Sequence, residues 1–288
     1  TRLVGSEMCI RDRFKLKRLS LDRRFFYNHK MSFMPKVLII AGSDSGGGAG
    51  VQADIKSTTY FKGYAMTAVT AITAQNTLGV QSIHPLPKQI VIDQINSVTS
   101  DLSPDVVKIG MLTDEEIINY ISVNISSYKI ILDPVMVATS GDILVSDDVI
   151  SSIKSNLINK SFLITPNIYE AEILNGKKIN NLEDQVDAVK KLLKFGCKNV
   201  LVKGGHGNSN NIHDVLITSN GDEHIFKSNK IKSTNTHGTG CSLASAIATN
   251  IGHGIDIKES IKISINYVQN GIKNAPDFGS GNGPIRHF

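Results

Sequence analysis

The sequence predicts an α/β fold with a mostly parallel central sheet and helices on both faces. Short apolar runs such as Val37–Ala41 and Ile130–Leu132 are typical of parallel strands that are buried on both sides. Segments with helical spacing lie between these runs, and a glycine-rich or polar loop follows nearly every run. Strands and helices that alternate in this way build a doubly covered sheet, and its ligands usually bind where the strands end.

The composition limits the class of protein. Of the 288 residues, 41% are hydrophobic and 20% are charged, which is ordinary for a globular domain. No apolar run approaches the roughly 20 residues that a membrane span needs, so we do not expect a membrane protein. The three cysteines are widely spaced and have neither metal-ligand spacing nor a disulfide framework. A reducing, cytoplasmic setting is therefore expected.

The net charge of +5 is concentrated at the start of the chain. Residues 1–30 hold nine lysines and arginines against three acids, whereas 22 oppose 23 from Met31 onward. The globular part thus lacks the basic excess of a nucleic-acid-binding protein. The string Ser6–Arg13 resembles a translated sequencing adapter, so we expect residues 1–33 to be a non-native or disordered leader before one folded domain, 34–288.

The first apolar run leads through a glycine loop, residues 42–50, into a helix predicted from Val51 to Lys62. The loop lacks the GK[ST] ending of a P-loop. We expect it, from Gly42 onward, to let a small substrate approach the backbone. Asp54 lies one turn into the helix, where it could face the strand ends or be a solvated surface acid.

A second strand is predicted over Met66–Ile72 and is followed by Thr73–Thr77. Gln75 in that segment offers one acceptor and two donors in a plane, which suits the edge of a heteroaromatic ring. A turn residue that bonds the local backbone is the alternative. Met111 comes just past the next strand end.

Carboxylates follow two further strands. Asp133 comes directly after Ile130–Leu132, with Val135 just beyond it, and Val137–Asp142 forms a loop that could close over a site. Glu170 follows the strand Phe162–Ile164. It is spaced from Asn167 as a capping-box partner, yet it could also hold a metal-bound water above the strand end.

The last buried strand, Asn199–Val202, leads to Lys203, Gly204 and Gly205. Lys203 could be a phosphate ligand or a solvated strand terminus. Residues 212–231 alternate like the two strands of an antiparallel hairpin.

The segment Gly238–Cys241 is a glycine turn that runs into a long helix. Free amides and the positive end of the helix dipole favour an anion there, and a thiol in the first turn tends toward thiolate. The alternative is a tight loop followed by a small core cysteine.

Taken together and in order, eight segments resemble the hydroxymethylpyrimidine/phosphomethylpyrimidine kinases of thiamine biosynthesis, which belong to the ribokinase superfamily. The segments are AGSDSGGGAGVQADIK (41–56), TAQNT (73–77), KIGML (108–112), DPVMVATSGD (133–142), ITPNIYEAEIL (164–174), VLVKGGH (200–206), HGTGCSLASAIA (237–248) and GNGPIRHF (281–288).

The resemblance implies a ribokinase-like fold and ATP-dependent phosphorylation of 4-amino-5-hydroxymethyl-2-methylpyrimidine and then of its monophosphate. It assigns Cys241 as the catalytic base, a position that aspartate takes in many relatives, and the amides of Gly238, Thr239 and Gly240 to the charge on the transferring group. It further implies a pyrimidine pocket with Gln75, Gly42, Asp54, Met111 and Val135, Mg²⁺ near Asp133 and Glu170, an ATP side with Lys203, Gly204 and Gly205, and a homodimer.

Two other functions stay open at this point. Some proteins with the GTGC motif are pyridoxal or pyridoxine kinases, although Gln75 in TAQNT favours a pyrimidine. A non-catalytic pyrimidine-binding sensor is the second alternative, which the intact GTGC motif and both acids argue against.

Overall fold

The computed structural model describes residues 33–137, 144–205 and 211–288. The predicted leader, the predicted closing loop from residue 138 onward and His206 lie outside these ranges. The strands are β1 Lys36–Asp44, β2 Tyr64–Asn76, β3 Gly79–Pro85, β4 Val106–Ile109, β5 Lys129–Leu132, β6 Leu163–Ile164, β7 Asn199–Val202, β8 Asn211–Thr218 and β9 Glu223–Asn229. The α-helices are α1 Gly50–Tyr60, α2 Lys88–Asp101, α3 Glu115–Asn124, α4 Asp147–Ser152, α5 Ile168–Asn175, α6 Leu182–Leu193, α7 Thr239–Gly252 and α8 Ile257–Lys273.

One sheet contains all of these strands, in the order β3-β2-β1-β4-β5-β6-β7-β8-β9. The six strands from β2 to β7 in that order run parallel to one another, while β3, β8 and β9 pair antiparallel at the two edges. The predicted α/β class with a mostly parallel sheet is therefore confirmed. The hairpin predicted at 212–231 is also confirmed, as β8 and β9.

The apolar strand runs are buried on both sides, which explains why they do not alternate with polar residues. Leu38 and Ile40 of β1 belong to a core that includes side chains of α2 and α3. Their neighbours Val37 and Ile39 are also fully buried and point to the opposite face, where α1 and α7 pack on β1. None of the helices in the described ranges has the length and apolar content that a bilayer crossing requires.

The prediction that the second strand stops at Ile72 is wrong. Strand β2 continues to Asn76 because β3 pairs with it from Ala71 to Asn76. Gln75 is therefore a strand residue rather than a turn residue. The pairing of β2 with β3 shifts register between Ala74 and Gln75, and such irregularities commonly redirect a side chain beside a functional site.

Candidate active site

A cavity of about 910 Å³ lies at the carboxyl ends of the parallel strands. Such strand ends are where open α/β sheets bind ligands. The cavity brings together most of the predicted site residues. Its lining includes Gly42, Gln75, Met111, Asp133, Val135, Glu170, Lys203, Gly205, Gly238, Thr239, Gly240 and Cys241.

The glycine turn before α7 has a conformation that requires glycine. Gly238 has φ +79°, in the left-handed region that side chains disfavour. A Cβ at Gly238 would also lie 1.8 Å from the carbonyl oxygen of Gly48. The turn therefore packs directly against the glycine loop after β1, and both border the cavity.

The first turn of α7 supplies the predicted anion site only in part. The amide of Thr239 donates to the carbonyl of Thr236 at 3.3 Å, so it is already engaged. The amides of Gly240 and Cys241 lie in the first helical turn, where N–H groups have no acceptor within the helix. These two amides, with the positive end of the helix, remain suited to a phosphate.

The prediction that Cys241 tends toward thiolate is wrong. Burial raises the pKa of the Cys241 thiol to about 12, although part of the residue is exposed to the cavity. Lys108 lowers the pKa, Asp54 and Asp133 raise it further, and the backbone N–H of Gly50 lowers it. The position at the helix start favours the anion, but the loss of water around the sulfur outweighs it.

Lys203 is paired rather than solvated. Its Nζ lies 2.7 Å from Oδ1 of Asp133, and its side chain is 14% exposed. The hydroxyl of Thr165 donates to the same oxygen at 3.0 Å. Burial opposes ionisation of Asp133, but Lys203 and then Lys108 more than offset it and lower the pKa of Asp133 below its usual value. The pair adjoins α7, because a Cβ at Gly240 would lie 3.3 Å from Lys203 Nζ.

Glu170 is the predicted capping-box partner of Asn167 and also borders the cavity. Its carboxylate accepts from the Asn167 amide at 2.8 Å and Asn167 Oδ1 accepts from the Glu170 amide at 2.9 Å, which completes the capping box of α5. Glu170 also lines the cavity. Burial raises its pKa to about 7, Lys203 lowers it, and Asp133 raises it.

Asp133 and Glu170 are the acids that could hold a metal ion. In the described ranges, no group of three or more histidine, cysteine or acidic side chains is arranged as a metal site. Mg²⁺ usually keeps several waters and is bound through one or two carboxylates together with substrate phosphates. Two acids in a cavity that could also bind phosphate therefore fit Mg²⁺ better than a metal held by the protein alone.

Gln75 lies in the cavity wall, and the Thr73 hydroxyl holds its side-chain carbonyl oxygen. Thr73 Oγ1 is 3.0 Å from Gln75 Oε1, and Gln75 Nε2 is 3.4 Å from the His237 Nε2 atom. The Gln75 backbone amide donates to Ser45 Oγ at 2.9 Å. His237 Nε2 donates to Asp44 and so cannot also accept from Gln75, which means that the Thr73 hydrogen bond orients the Gln75 amide at the edge of the cavity.

Asp44 and His237 are functional candidates that the sequence reasoning missed. The Asp44 carboxylate accepts the amides of Gly46, Gly48 and Ala49 at 2.8 to 2.9 Å and lies 2.8 Å from His237 Nε2. Burial opposes the charge on Asp44, but the hydrogen bonds from His237 and Ala49 leave its pKa lowered. An aspartate that opens a glycine-rich loop is the sequence signal that could have revealed it.

Two predicted site residues do not line the cavity. Asp54 is fully buried, with its carboxylate 2.8 Å from Lys108 Nζ and 2.7 Å from Ser245 Oγ. The Gly204 amide donates to Asp214 Oδ1 at 2.8 Å, and a Cβ at Gly204 would lie 2.2 Å from the His213 carbonyl oxygen. Gly204 therefore allows its loop to pack closely against His213 of β8. Lys108, the partner of Asp54, does line the cavity and is a further residue that the sequence reasoning missed.

Comparison with known proteins gives consistent similarities. The family model for Phosphomethylpyrimidine kinase matches residues 44–286. The hydroxymethylpyrimidine/phosphomethylpyrimidine kinase of Bacillus subtilis (strain 168) is 42% identical to this chain over 257 residues, which cover 88% of this chain and 94% of that protein.

Two solved structures are similar in different ways. Phosphomethylpyrimidine kinase from Clostridium difficile 630 is 38% identical with a TM-score of 0.72, and the match covers 82% of this chain and 98% of that chain. Pyridoxal kinase from Staphylococcus aureus in complex with pyridoxal is 30% identical with a TM-score of 0.82. The match covers 88% of this chain and 94% of that chain. The backbone is thus closer to the second protein and the sequence is closer to the first.

Proposed function

The chain belongs to the phosphomethylpyrimidine kinase family, and from this premise we propose that it phosphorylates 4-amino-5-hydroxymethyl-2-methylpyrimidine with ATP. The monophosphate is then phosphorylated to the diphosphate, a function in thiamine biosynthesis. The observation that carries the proposal is the presence of a ring-edge amide, Gln75, and a thiol at a helix start, Cys241, in the wall of one cavity.

In the first step, the hydroxymethyl oxygen of the substrate attacks the γ-phosphorus of ATP and the bond to the β,γ-bridging oxygen breaks, releasing ADP. Cys241, in its thiolate form, takes the hydroxyl proton as general base. The amides of Gly240 and Cys241 bind the charge on the transferring group, since phosphoryl transfer depends chiefly on positioning and electrostatic stabilisation. In the second step, an oxygen of the substrate phosphate takes the place of the hydroxyl.

The other end of the cavity is suited to the polyphosphate. Lys203 offers a cation beside the start of α7, where a Cβ at Gly240 would lie 3.3 Å from its Nζ, and Gly205 offers an exposed backbone. Asp133 and Glu170 are the residues that would hold Mg²⁺. When bound, Mg²⁺ supplies positive charge that neutralises the phosphate oxygens.

Gln75 favours a pyrimidine over the runner-up substrate, pyridoxal. An aminopyrimidine presents a ring nitrogen next to an exocyclic amino group, and one amide plane can accept from the amino group while donating to the ring nitrogen. Pyridoxal has no such amino group beside its ring nitrogen. The backbone similarity to pyridoxal kinase keeps that activity as the second candidate.

The setting and partners are part of the same proposal. The widely spaced cysteines favour a reducing cytoplasm. The nearly neutral charge from Met31 onward favours a small-molecule enzyme without a nucleic-acid partner. A homodimer is the assembly that the resemblance implies.

A coupled assay of ADP release tests the proposal. Purified protein is given ATP and Mg²⁺ with the aminopyrimidine, its monophosphate, pyridoxal or no acceptor, and the products are identified by mass spectrometry. We expect both pyrimidines to be phosphorylated with a higher kcat/KM than pyridoxal. A higher kcat/KM for pyridoxal would establish the runner-up instead, and calorimetric binding of the pyrimidine without ADP release would point to the non-catalytic sensor.

A further inference from the structure

Lys108 is a buried cation in the wall of the active-site cavity. It lies on β4 between Val107 and Ile109, whose side chains belong to the core on the opposite face of the sheet. Its side chain is fully buried, yet it borders the cavity. Position 110 is glycine, and a Cβ there would lie 2.9 Å from Lys108 Nζ. The missing side chain at Gly110 therefore leaves room for the ammonium group at the cavity.

A hydrogen-bonded path connects Lys108 with the helix face that carries Cys241. Ser245 follows Cys241 by four residues on α7, so both lie on the same side of that helix. Ser245 Oγ donates to Asp54 Oδ1 at 2.7 Å, and Asp54 Oδ2 accepts from Lys108 Nζ at 2.8 Å. The Lys108–Asp54 pair thus contacts α7 at Ser245, one helical turn beyond Cys241.

The ammonium group has more donors than this pair uses. A lysine ammonium group carries three N–H donors. Among the residues that the structure describes, Asp54 is the one acceptor found for Lys108. Leaving a buried donor unsatisfied costs about 1–3 kcal/mol, so an acceptor in the cavity would stabilise the remaining N–H groups.

We propose that Lys108 is a positioning residue for the reaction: its ammonium group stabilises the Cys241 thiolate, and Asp54 holds that group in place. This inference rests on the proposed role of Cys241 as the base. The thiol loses its proton to solvent before the transfer step, the thiolate takes the proton of the substrate hydroxyl, and the thiol is restored. Lys108 changes the energy of the thiolate and forms no bond in these steps.

The electrostatics around Cys241 agree with this assignment. After burial, Lys108 has the largest effect on the pKa of the thiol and lowers it, whereas Asp54 and Asp133 raise it. In the opposite direction, Cys241 helps to raise the pKa of both Lys108 and Lys203. The proposal therefore predicts that removing the charge of Lys108 raises the pKa of the Cys241 thiol, whereas removing the charge of Asp54 lowers it.

A purely structural role for the ion pair makes a different prediction. The pair connects β4 to α1, and Ser245 extends the connection to α7. If the Lys108–Asp54 pair served only to connect these elements, neutralising either residue would weaken the same contact between β4 and α1. Both variants would then change the reactivity of Cys241 in the same direction.

Alkylation of Cys241 by iodoacetamide, followed over pH 6–10 on the peptide that contains Cys241, tests the inference. That readout excludes signal from the other cysteines. We expect Lys108→Met to slow alkylation at pH 8 by about tenfold or more, since one pKa unit corresponds to a tenfold change. We expect Asp54→Asn to accelerate it. The control Lys88→Met, which removes a surface lysine paired with Glu116, should leave the pH profile unchanged.

The kinetic measurement separates this inference from the proposed function. In Lys108→Met, kcat for the aminopyrimidine should fall by about tenfold or more while both KM values change by less than about threefold, and Lys108→Arg should recover part of the kcat loss. Lys108→Met leaves the buried Asp54 carboxylate uncompensated, whereas Asp54→Asn keeps a side-chain oxygen that can still accept from Lys108 Nζ, so Asp54→Asn provides the deciding arm if Lys108→Met does not fold. Unchanged or slower alkylation in Asp54→Asn overturns the inference even where the wild-type enzyme is active. Absence of kinase activity in the wild-type protein would instead refute the proposed function, and the alkylation profiles would still report on Lys108.

Discussion

His237 Nε2 lies 2.8 Å from Asp44 Oδ2, although the two residues are 193 positions apart in the chain. This contact joins the glycine loop after β1 to the turn before α7. The same Asp44 carboxylate accepts three amides of the glycine loop. One ionised side chain therefore sets the shape of both segments that border the cavity next to Cys241.

Replacing Asp44 with alanine should destabilise the protein and alter its response to acid. Hydrogen bonds to a charged group are worth about 1.5–3 kcal/mol each, and Asp44 accepts four of them, so we expect a loss of about 4 kcal/mol or more. The folded-state pKa of Asp44 is lowered, so the ionised side chain stabilises the protein at pH values above its unfolded-state pKa of about 3.9. This stabilisation is lost as pH falls through the folded-state pKa. Thermal melts between pH 7 and pH 3 should show that Asp44→Ala lacks this part of the acid dependence.

The matched control for Asp44 is Asp101→Ala, which removes an exposed carboxylate at the end of α2. Its free energy of unfolding should lie within about 0.5 kcal/mol of the wild-type value, as is usual for surface substitutions. An equal loss of stability in the two variants would mean that the Asp44 hydrogen bonds contribute nothing specific.

Replacing Gly238 with alanine should remove activity and destabilise the fold. The left-handed backbone at φ +79° costs an alanine roughly 1–2 kcal/mol. The clash with the Gly48 carbonyl oxygen, 1.8 Å from the new Cβ, adds to that cost because the glycine loop must move. Denaturant unfolding and the coupled kinase assay measure the two effects.

Gly221→Ala isolates the clash from the backbone strain. Gly221 has φ +88° in the turn between β8 and β9, and a Cβ there would have no neighbour within 4 Å. We expect this variant to lose only about 1–2 kcal/mol and to keep its activity. Similar losses of stability and activity in the two variants would show that the packing of Gly238 against Gly48 is unimportant.

Gln75→Ala should weaken binding of the pyrimidine far more than binding of ATP. Leaving the ring-edge groups unpaired costs about 1–3 kcal/mol, which corresponds to roughly 5- to 150-fold in Kd. Isothermal calorimetry with each ligand provides the comparison. Gln81→Ala, an exposed glutamine on the neighbouring strand β3, is the control and should bind both ligands normally. Equal weakening of both ligands by Gln75→Ala would contradict ring recognition.

Asp214→Asn should stabilise the protein near neutral pH. Burial raises the pKa of Asp214 to about 6, against smaller opposing effects of Gly204 and Lys203. A carboxyl whose pKa is raised by folding stabilises the protein most when the pH is below its unfolded-state pKa. That stabilisation is lost as pH rises through the folded-state pKa of about 6. The variant can still accept the Gly204 amide, so it should gain up to about 3 kcal/mol at pH 7 and nothing at pH 3.5. If Asp214→Asn and the wild type had the same melting temperatures at pH 3.5 and at pH 7, the raised pKa of Asp214 would be contradicted.

The sequence was sufficient to predict features that depend on neighbouring residues. The buried strands and the capping box of Asn167 and Glu170 are local patterns, and they are confirmed. The Lys108–Asp54 and His237–Asp44 contacts join distant elements through the packing of α1 and α7, which no spacing in the chain reveals. The continuation of β2 past Ile72 likewise depends on its partner β3. The thiolate prediction failed because the helix start is visible in the sequence, whereas the loss of water around Cys241 is not.

Cys241→Ser should lower turnover far more than stability. A serine hydroxyl is a much weaker acid than a thiol in the same surroundings, so it forms far less of the reactive anion, and loss of the general base should reduce kcat by roughly 10²–10⁴. The amides of Gly240 and Cys241 remain in the variant, and KM for both substrates should change little. Cys241→Asp should recover part of the activity, because a carboxylate can take the same proton. Steady-state kinetics beside thermal melts provides the measurement.

Cys197→Ser distinguishes a catalytic thiol from a structural one. Cys197 belongs to the core, donates to the Leu192 carbonyl oxygen at 3.7 Å, and has a pKa raised by burial to about 12, the value shared by Cys241. Its replacement should cost about 1–2 kcal/mol of stability and leave turnover per folded molecule intact. The two thiols thus share an elevated pKa but differ in location, since only Cys241 of the two lines the cavity. Wild-type turnover in a folded Cys241→Ser protein would make both cysteines structural and leave the transfer step without its proposed base.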